Sequence, residues 1–253
     1  IANPRFGTIV SESGAGYTWA VNSRENRLTP WSNDPVEDPP GETLYVRDEE
    51  TGEVWSPTPL PIRGPEPYVC RHAAGHTRFE HRTAGIALEM TVFVPLEDPV
   101  RIARLKLTNE SGRRRRLSVT AYVEWVLGAF RETSATHVVT EVDEATGAIL
   151  ARNRWSEEFA DRVAFVDLAG KQSSWTCDRT EFLGRTGALD RPAAMARATT
   201  GTCRESNCTS RSPRTSCSRW ATTASCAWKA RPSAISKASA SSSTARPRMR
   251  TSG

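Results

Sequence analysis

The chain has 253 residues, of which 38% are hydrophobic and 25% charged, and this composition excludes a collagen-like, a membrane-spanning and a wholly disordered protein. The formal net charge of +5 is unevenly divided, because residues 198–253 hold ten Lys and Arg side chains and a single acid, Glu205. Residues 1–197 therefore have a net charge of −4, and the basic pI of about 9.1 is no evidence that this part binds nucleic acid.

Apolar and polar side chains alternate with a period of two along residues 1–197, which predicts β-strands with one buried face. In chain order the strand candidates are residues 6–12, 17–21, 44–48, 68–71, 78–81, 86–94, 103–108, 117–125, 137–142, 149–152, 163–168 and 173–176. Residues 109–112 read Asn-Glu-Ser-Gly and predict a hairpin between the two strands that flank them. Similar turns are predicted at residues 48–52 and 143–147, and a short helix at residues 157–161.

The many short strands predict an all-β fold, a large antiparallel β-sandwich formed by residues 1–197 as one domain. Prolines are concentrated in two stretches, residues 35–40 and 57–67, which predict long loops at the surface of the sandwich. Because binding residues are common on loops that a rigid scaffold positions, these loops are where function is expected.

Residues 198–253 form a basic tail rich in Ser, Arg, Thr and Ala, with few large apolar residues, and this composition predicts disorder. Four Cys residues and two Trp residues are unusual in such a tail, and the composition favours out-of-frame translation of a GC-rich gene over a native segment. The alternative is a nucleic-acid-binding arm in which Trp220 or Trp228 stacks on bases. The spacing of the four Cys residues does not match a zinc site.

Residues 11–34 combine aromatic rings with amide, carboxylate and guanidinium groups. Aromatic rings cover the apolar face of a pyranose, and the planar polar groups form paired hydrogen bonds to its hydroxyls. An alternative interpretation makes Tyr17 and Trp19 core residues of a hairpin closed by Gly14 and Gly16, with a solvated ion pair beside them. The candidate residues for carbohydrate binding are Tyr17, Trp19, Arg24, Glu25, Asn26, Arg27 and Trp31.

Three histidines, His72, His76 and His81, are possible metal ligands, but the segment between the first two lies between extended stretches and no acidic third ligand is near in the sequence. We predict no metal site. No nucleophile, base and orienting group occur at a spacing that would support catalysis, so no residue is predicted to be catalytic.

Long stretches of the sequence resemble one enzyme family. Residues 3–63, which begin NPRFGTIVSESGAGYTWAVNSREN, are similar to the start of the phosphorylase-like region of cyclic β-1,2-glucan synthases, and so are YVCRHAAGHTRFEH at 68–81 and LSVTAYVEWVLG at 117–128. That region is similar to glycoside hydrolase family 94. The resemblance continues through NRWSEEFADRVAFVDL at 153–168 to residue 197 and ends there.

The resemblance implies a galactose-mutarotase-like β-supersandwich that is truncated here and is followed in the family by an (α/α)₆ barrel. In this family phosphate attacks the anomeric carbon with inversion, and an aspartic acid of the barrel protonates the leaving oxygen. Inorganic phosphate is therefore the expected co-substrate of the parent enzyme, with no other cofactor, and this segment alone is expected to be inactive.

The same resemblance implies the partners of the chain. They are β-1,2-glucan or another β-glucoside oligosaccharide, the barrel, and a membrane-embedded glucosyltransferase domain. The segment itself is expected at the cytoplasmic face of a bacterial inner membrane, without contacting membrane or nucleic acid. A free-standing carbohydrate-binding module is the alternative to a scaffold domain.

Overall fold

The structure is a computed structural model that describes residues 1–170, 172–185, 187–197, 224–230 and 233–235. The described residues are mostly β-strands in antiparallel sheets, which confirms the all-β prediction. A small N-terminal sheet has the order β1-β2-β3, formed by Ala2–Asn3, Phe6–Thr8 and Thr18–Ala20. No helix in the described part of the chain is long and apolar enough to cross a membrane.

A six-stranded sheet forms the centre of the sandwich. Its strands are β4 (Glu42–Asp48), β5 (Val54–Trp55), β10 (Arg115–Glu124), β14 (Gln172–Asp178), β15 (Ala224–Ala230) and β16 (Ser233–Ile235). The order is β14-β15-β10-β4-β5, and β16 also pairs with β10.

Two further sheets pack on one face of the central sheet. The four-stranded sheet is a meander of β6 (Tyr68–Ala73), β7 (His76–Thr83), β8 (Ile86–Phe93) and β9 (Ile102–Asn109). The three-stranded sheet consists of β11 (Val138–Val142), β12 (Ile149–Asn153) and β13 (Ala164–Val166). Val46 and Leu117 of the central sheet pack on Ile86 and Leu88, whereas Ala121 and Val123 pack against the three-stranded sheet.

The opposite face of the central sheet is covered by short helical elements. These are α2 (Arg179–Leu183) and a 3₁₀ turn at Ala193–Ala196, while α1 (Arg131–Ser134) and the 3₁₀ turn Ala135–His137 lead into β11. Phe182 of α2 stacks on Tyr122 with 5.2 Å between ring centroids. The sequence pattern predicted that β10 would expose this face, but its polar side chains are buried as well, and Phe182 and Leu183 of α2 pack on Tyr122.

Two local predictions are wrong. Residues 109–112 do not close a hairpin, because β9 pairs only with β8 among the described strands and the chain then crosses to β10, which pairs with β4. Residues 157–161 form turns and no helix, since Phe159 and Arg162 bond to the carbonyls three residues before them. The turns at residues 48–52 and 143–147 do connect paired strands, as predicted.

The predicted disordered tail lies mostly outside the described residues. Within it, β15 and β16 differ from the expectation, because their backbones pair with β10, and β15 also pairs with β14. A strand placed between two others satisfies the backbone groups of both neighbours, and this pairing depends on the backbone rather than on an apolar composition.

Candidate functional site

The candidate carbohydrate-binding residues lie on and after the β2–β3 hairpin. Gly16 has φ of +140°, and a Cβ there would overlap the carbonyl oxygen of Ile9, so the close return of the chain requires glycine. The Ile9 amide then donates to the carbonyl of Tyr17 at 3.0 Å. This turn fixes the start of β3, and with it the position of Tyr17 and Trp19.

Tyr17 is the centre of an aromatic cluster. Its ring centroid lies 5.2 Å from that of Trp19 and 5.1 Å from that of Trp31, with tilted planes in both cases. The Arg27 guanidinium lies 5.8 Å from the centroid of the Tyr17 ring, at the distance of a cation–π contact. Tyr17 is only 9% exposed, whereas Trp19 and Trp31 are partly exposed, so the two indoles form the accessible part of the cluster.

Trp19 is held against β2 by a glycine. Gly7 is directly opposite Trp19 in the ladder, and a Cβ at Gly7 would overlap the six-membered part of the indole. The absence of a side chain at Gly7 therefore lets the ring lie flat across the neighbouring strand.

Arg27 is fixed by its backbone and keeps hydrogen-bonding capacity in its side chain. Its amide donates to the Gly128 carbonyl at 3.1 Å, and the Gly128 amide donates back at 3.1 Å. The enclosed Nε of Arg27 has no hydrogen-bond partner in the part of the chain that the structure describes. This Nε–H is therefore able to donate a further hydrogen bond.

The remaining candidates lie away from the rings or have a structural contact. Arg24, with a side chain 80% exposed, forms an ion pair with Glu25 at 3.3 Å, a pair that solvent screens. Asn26 is buried, and its side-chain amide donates to the Ala20 carbonyl at 2.9 Å. The structure thus brings together Tyr17, Trp19, Arg27 and Trp31, and directs Arg24, Glu25 and Asn26 elsewhere.

The face of β3 opposite to Trp19, which carries Thr18 and Ala20, borders a cleft of about 970 Å³. Its apolar wall comes from the inward faces of β9 and β10, and Asn26 is the one candidate residue that lines it. At its rim Glu42 accepts hydrogen bonds from Thr18 at 2.5 Å and Thr29 at 3.1 Å and pairs with Arg101 at 2.5 Å. This polar cluster has no local signal in the sequence, because its members are up to 83 residues apart in the chain.

Two of the three histidines that were candidate metal ligands, His72 and His81, have other partners. His72 and His76 lie on either side of the β6–β7 turn, and the His72 Nδ1 is 3.0 Å from the Thr77 hydroxyl. His81 is buried, stacks on Tyr68 with 3.7 Å between centroids, and lies with its Nδ1 3.1 Å from the Pro67 carbonyl oxygen. Among the described residues no group of three or more His, Cys, Asp or Glu is arranged to hold a metal ion.

The family model described as "Glycosyl hydrolase 94, supersandwich domain" matches residues 1–214. The chain belongs to glycoside hydrolase family 94. This membership confirms the resemblance seen in the sequence. The match continues 17 residues beyond residue 197, where the sequence likeness was expected to end.

Several characterised members of family 94 are similar to the chain. The cyclic beta-(1,2)-glucan synthase NdvB of Rhizobium meliloti is 38% identical over 196 residues, which is 77% of this chain and 7% of the synthase. Solabiose phosphorylase of Paenibacillus borealis is 36% identical over 160 residues, 61% of this chain and 21% of that enzyme. N,N'-diacetylchitobiose phosphorylase of Vibrio furnissii is 27% identical over 140 residues, which is 54% of this chain and 18% of that enzyme. The chain thus spans about a fifth or less of the length of these relatives.

Proposed function

We propose that the chain is the N-terminal supersandwich of a cyclic β-1,2-glucan synthase or a related inverting glycoside phosphorylase. The observation that carries the proposal is the 38% identity to such a synthase over 196 residues. The parent enzyme then transfers or phosphorolyses glucosyl units of β-1,2-glucan, with inorganic phosphate as co-substrate. Its catalytic aspartic acid lies in a barrel domain outside the 253 residues, and a membrane glucosyltransferase domain places the whole at the inner membrane.

Within this enzyme the domain is a scaffold that also contacts glucan. The contact is assigned to the partly exposed rings of Trp19 and Trp31, which Tyr17 supports from below, and to the guanidinium of Arg27. The arrangement supports this role because indole faces bind the apolar side of a pyranose and an arginine donates to its hydroxyls. Arg24, Glu25 and Asn26 remain candidates whose present contacts offer less to a ligand.

Two measurements on the 253-residue chain test the proposal. Incubation with β-1,2-gluco-oligosaccharides and phosphate is expected to release no glucose 1-phosphate, because the acid is supplied by another domain; measurable release would overturn the scaffold role. Calorimetric titration with the same oligosaccharides is expected to give a dissociation constant in the millimolar range, about −4 kcal/mol. A micromolar constant would instead identify a free-standing carbohydrate-binding module.

A further inference from the structure

The outward face of the three-stranded sheet β11–β13 carries several exposed apolar side chains. Residues of the inward face, such as Val138, Ile149 and Ala151, pack into the core, so their neighbours point away from it. Of the ten strongly exposed large hydrophobic side chains among the described residues, four lie on or beside this sheet: Val139, Trp155, Val163 and Phe165. Exposure concentrated in one place indicates a contact surface, whereas single exposed side chains are ordinary.

Trp155 is the most exposed of the four, at 75%, and its position is fixed. Its ring stacks on His137 with 4.9 Å between centroids and 8° between planes, so one face of the indole is supported and the other is open. The Trp155 amide donates to Asn153 Oδ1 at 3.0 Å, and Asn153 Nδ2 donates to the Leu127 carbonyl at 2.9 Å. The stacked pair is therefore a preorganised platform rather than a loose side chain.

Polar groups able to bind hydroxyls lie on the same outward face of the sheet. Arg152 is directly opposite Val139 in the β11–β12 ladder, and its guanidinium pairs with Glu141 at 3.1 Å. Both side chains are over a third exposed, so each keeps free donors or acceptors toward solvent. A flat ring and a charged pair on one face of a sheet offer an oligosaccharide both an apolar surface and hydrogen-bonding partners.

We infer that the outward face of this sheet, with the platform formed by Trp155 and His137 and the Arg152–Glu141 pair, is a second binding site for β-1,2-glucan, in which a glucopyranosyl unit stacks on the platform. The inference rests on the proposed contact of this domain with glucan and adds a site that is separate from the Trp19 and Trp31 cluster. A protein partner fits the face less well, because burying the Arg152–Glu141 pair under another chain would cost its hydration, whereas sugar hydroxyls replace the lost water.

The experiment follows the indole N–H signals of the 253-residue chain, labelled with ¹⁵N-tryptophan, during titration with a linear β-1,2-gluco-oligosaccharide. The chain has eight tryptophans, and Trp155→Phe, Trp19→Phe and Trp31→Phe assign the relevant signals. Mannitol, a polyol without a ring, is the control ligand. The Trp155 signal is expected to shift and saturate with the oligosaccharide and to stay in place with mannitol.

Variants give the size of the effect at this site. The Trp155 variants lack the reporting indole, so their binding is measured by calorimetric titration in the Trp19→Phe/Trp31→Phe background: Trp155→Ala is expected to weaken binding about tenfold, and Trp155→Phe less, because a smaller flat ring remains. Leu96→Ala removes a side chain that is 86% exposed in the loop between β8 and β9 and is the matched control without effect.

The outcomes separate this inference from the proposed function. If the Trp19 and Trp31 signals shift and the Trp155 signal does not, the second site is wrong and the proposed contact stands. If no signal shifts up to about 10 mM oligosaccharide, both are wrong. If only Trp155 responds, the glucan contact lies on this face alone. A Trp155 signal that moves with protein concentration and not with sugar assigns the face to a second copy of the chain and overturns the inference.

Discussion

Asp48 and Arg115 form an ion pair buried at the junction of two sheets. The Asp48 side chain is fully buried and that of Arg115 is 4% exposed, with 2.5 Å between Oδ2 and Nη2. Asp48 ends β4 and Arg115 begins β10, and Nη1 of the same guanidinium donates to the Ala84 carbonyl at 2.6 Å, in the turn between β7 and β8. One arginine thus connects the central sheet to the four-stranded sheet that packs on it.

Neutralising Asp48 is expected to destabilise the fold strongly. Asp48→Asn keeps an Oδ1 that can accept from the Glu50 amide, at 2.8 Å in the native turn, but leaves the Arg115 charge buried without its partner. Losing one partner of a buried pair costs about 3–5 kcal/mol. Urea unfolding measures the change. Glu50→Gln, which breaks the exposed pair with Arg113, is the control and should cost less than about 1 kcal/mol; equal losses would refute the role of burial.

The free energy of unfolding should depend on pH through the protonation of His81. Burial lowers the pKa of this imidazole, while the Pro67 carbonyl and Glu66 act in the opposite direction and do not offset it. Because the pKa in the folded state is below that in the unfolded state, the neutral ring stabilises the fold above about pH 6.5. This contribution is lost as the pH falls through the folded pKa.

Unfolding free energies between about pH 7 and pH 5 check this expectation. The decrease in unfolding free energy toward about pH 5 should be smaller in His81→Phe, which retains a ring against Tyr68, than in the unsubstituted chain. In His76→Gln the decrease should equal that of the unsubstituted chain. An identical fall in all three proteins would rule out His81 as its origin. Asp48 does not interfere in this range: burial raises its pKa, but the Glu50 amide and Arg115 outweigh burial and keep the pKa below its usual value.

Adding a methyl group at Gly7 should displace Trp19. The new Cβ would overlap the indole, so the ring or the β2–β3 ladder must move, at a cost of about 1–3 kcal/mol. Thermal unfolding of Gly7→Ala, Trp19→Phe and the double variant forms the test. If the double variant loses as much as the sum of the two single variants, the residues are not coupled through this contact.

The two arginines among the candidate residues provide a matched pair for the proposed glucan contact. Arg27→Met keeps the aliphatic stem under the ring cluster but removes the guanidinium, and is expected to weaken oligosaccharide binding about tenfold. Arg24→Met removes an exposed charge that pairs only with Glu25 among the described residues and should weaken binding less than Arg27→Met does. Calorimetric titration measures both, and a loss confined to Arg24→Met would exclude the Arg27 contact.

The sequence predicted those parts of the fold that depend on local patterns. The alternation at residues 86–94 predicts β8 to within a residue, because a period of two along one chain defines a strand and its inward face. It does not define the neighbours of a strand, which is why residues 109–112 were expected to close a hairpin. The helix α2 had a local signal that was missed, since Asp178 caps it and Glu181 follows three residues later.

The candidate site was predicted only where its residues are close together in the sequence. Aromatic residues close in sequence, such as Tyr17, Trp19 and Trp31, do form one cluster, although their binding role stays a prediction. The direction of Asn26 could not be predicted, because it depends on the turn that returns the chain toward Ala20. The stacking of Trp155 on His137 depends on the register between β11 and β12, which no local pattern of residue types specifies.

The position of β15 has a consequence for how the domain folds during synthesis. This strand lies between β10 and β14, yet it leaves the ribosome about 100 residues after β10. Until it arrives, the gap beside β10 exposes unpaired backbone groups, so the nascent chain passes through an interval in which it can capture foreign strands. Slow translation through residues 198–223 would lengthen that interval, and chaperone demand should be highest there.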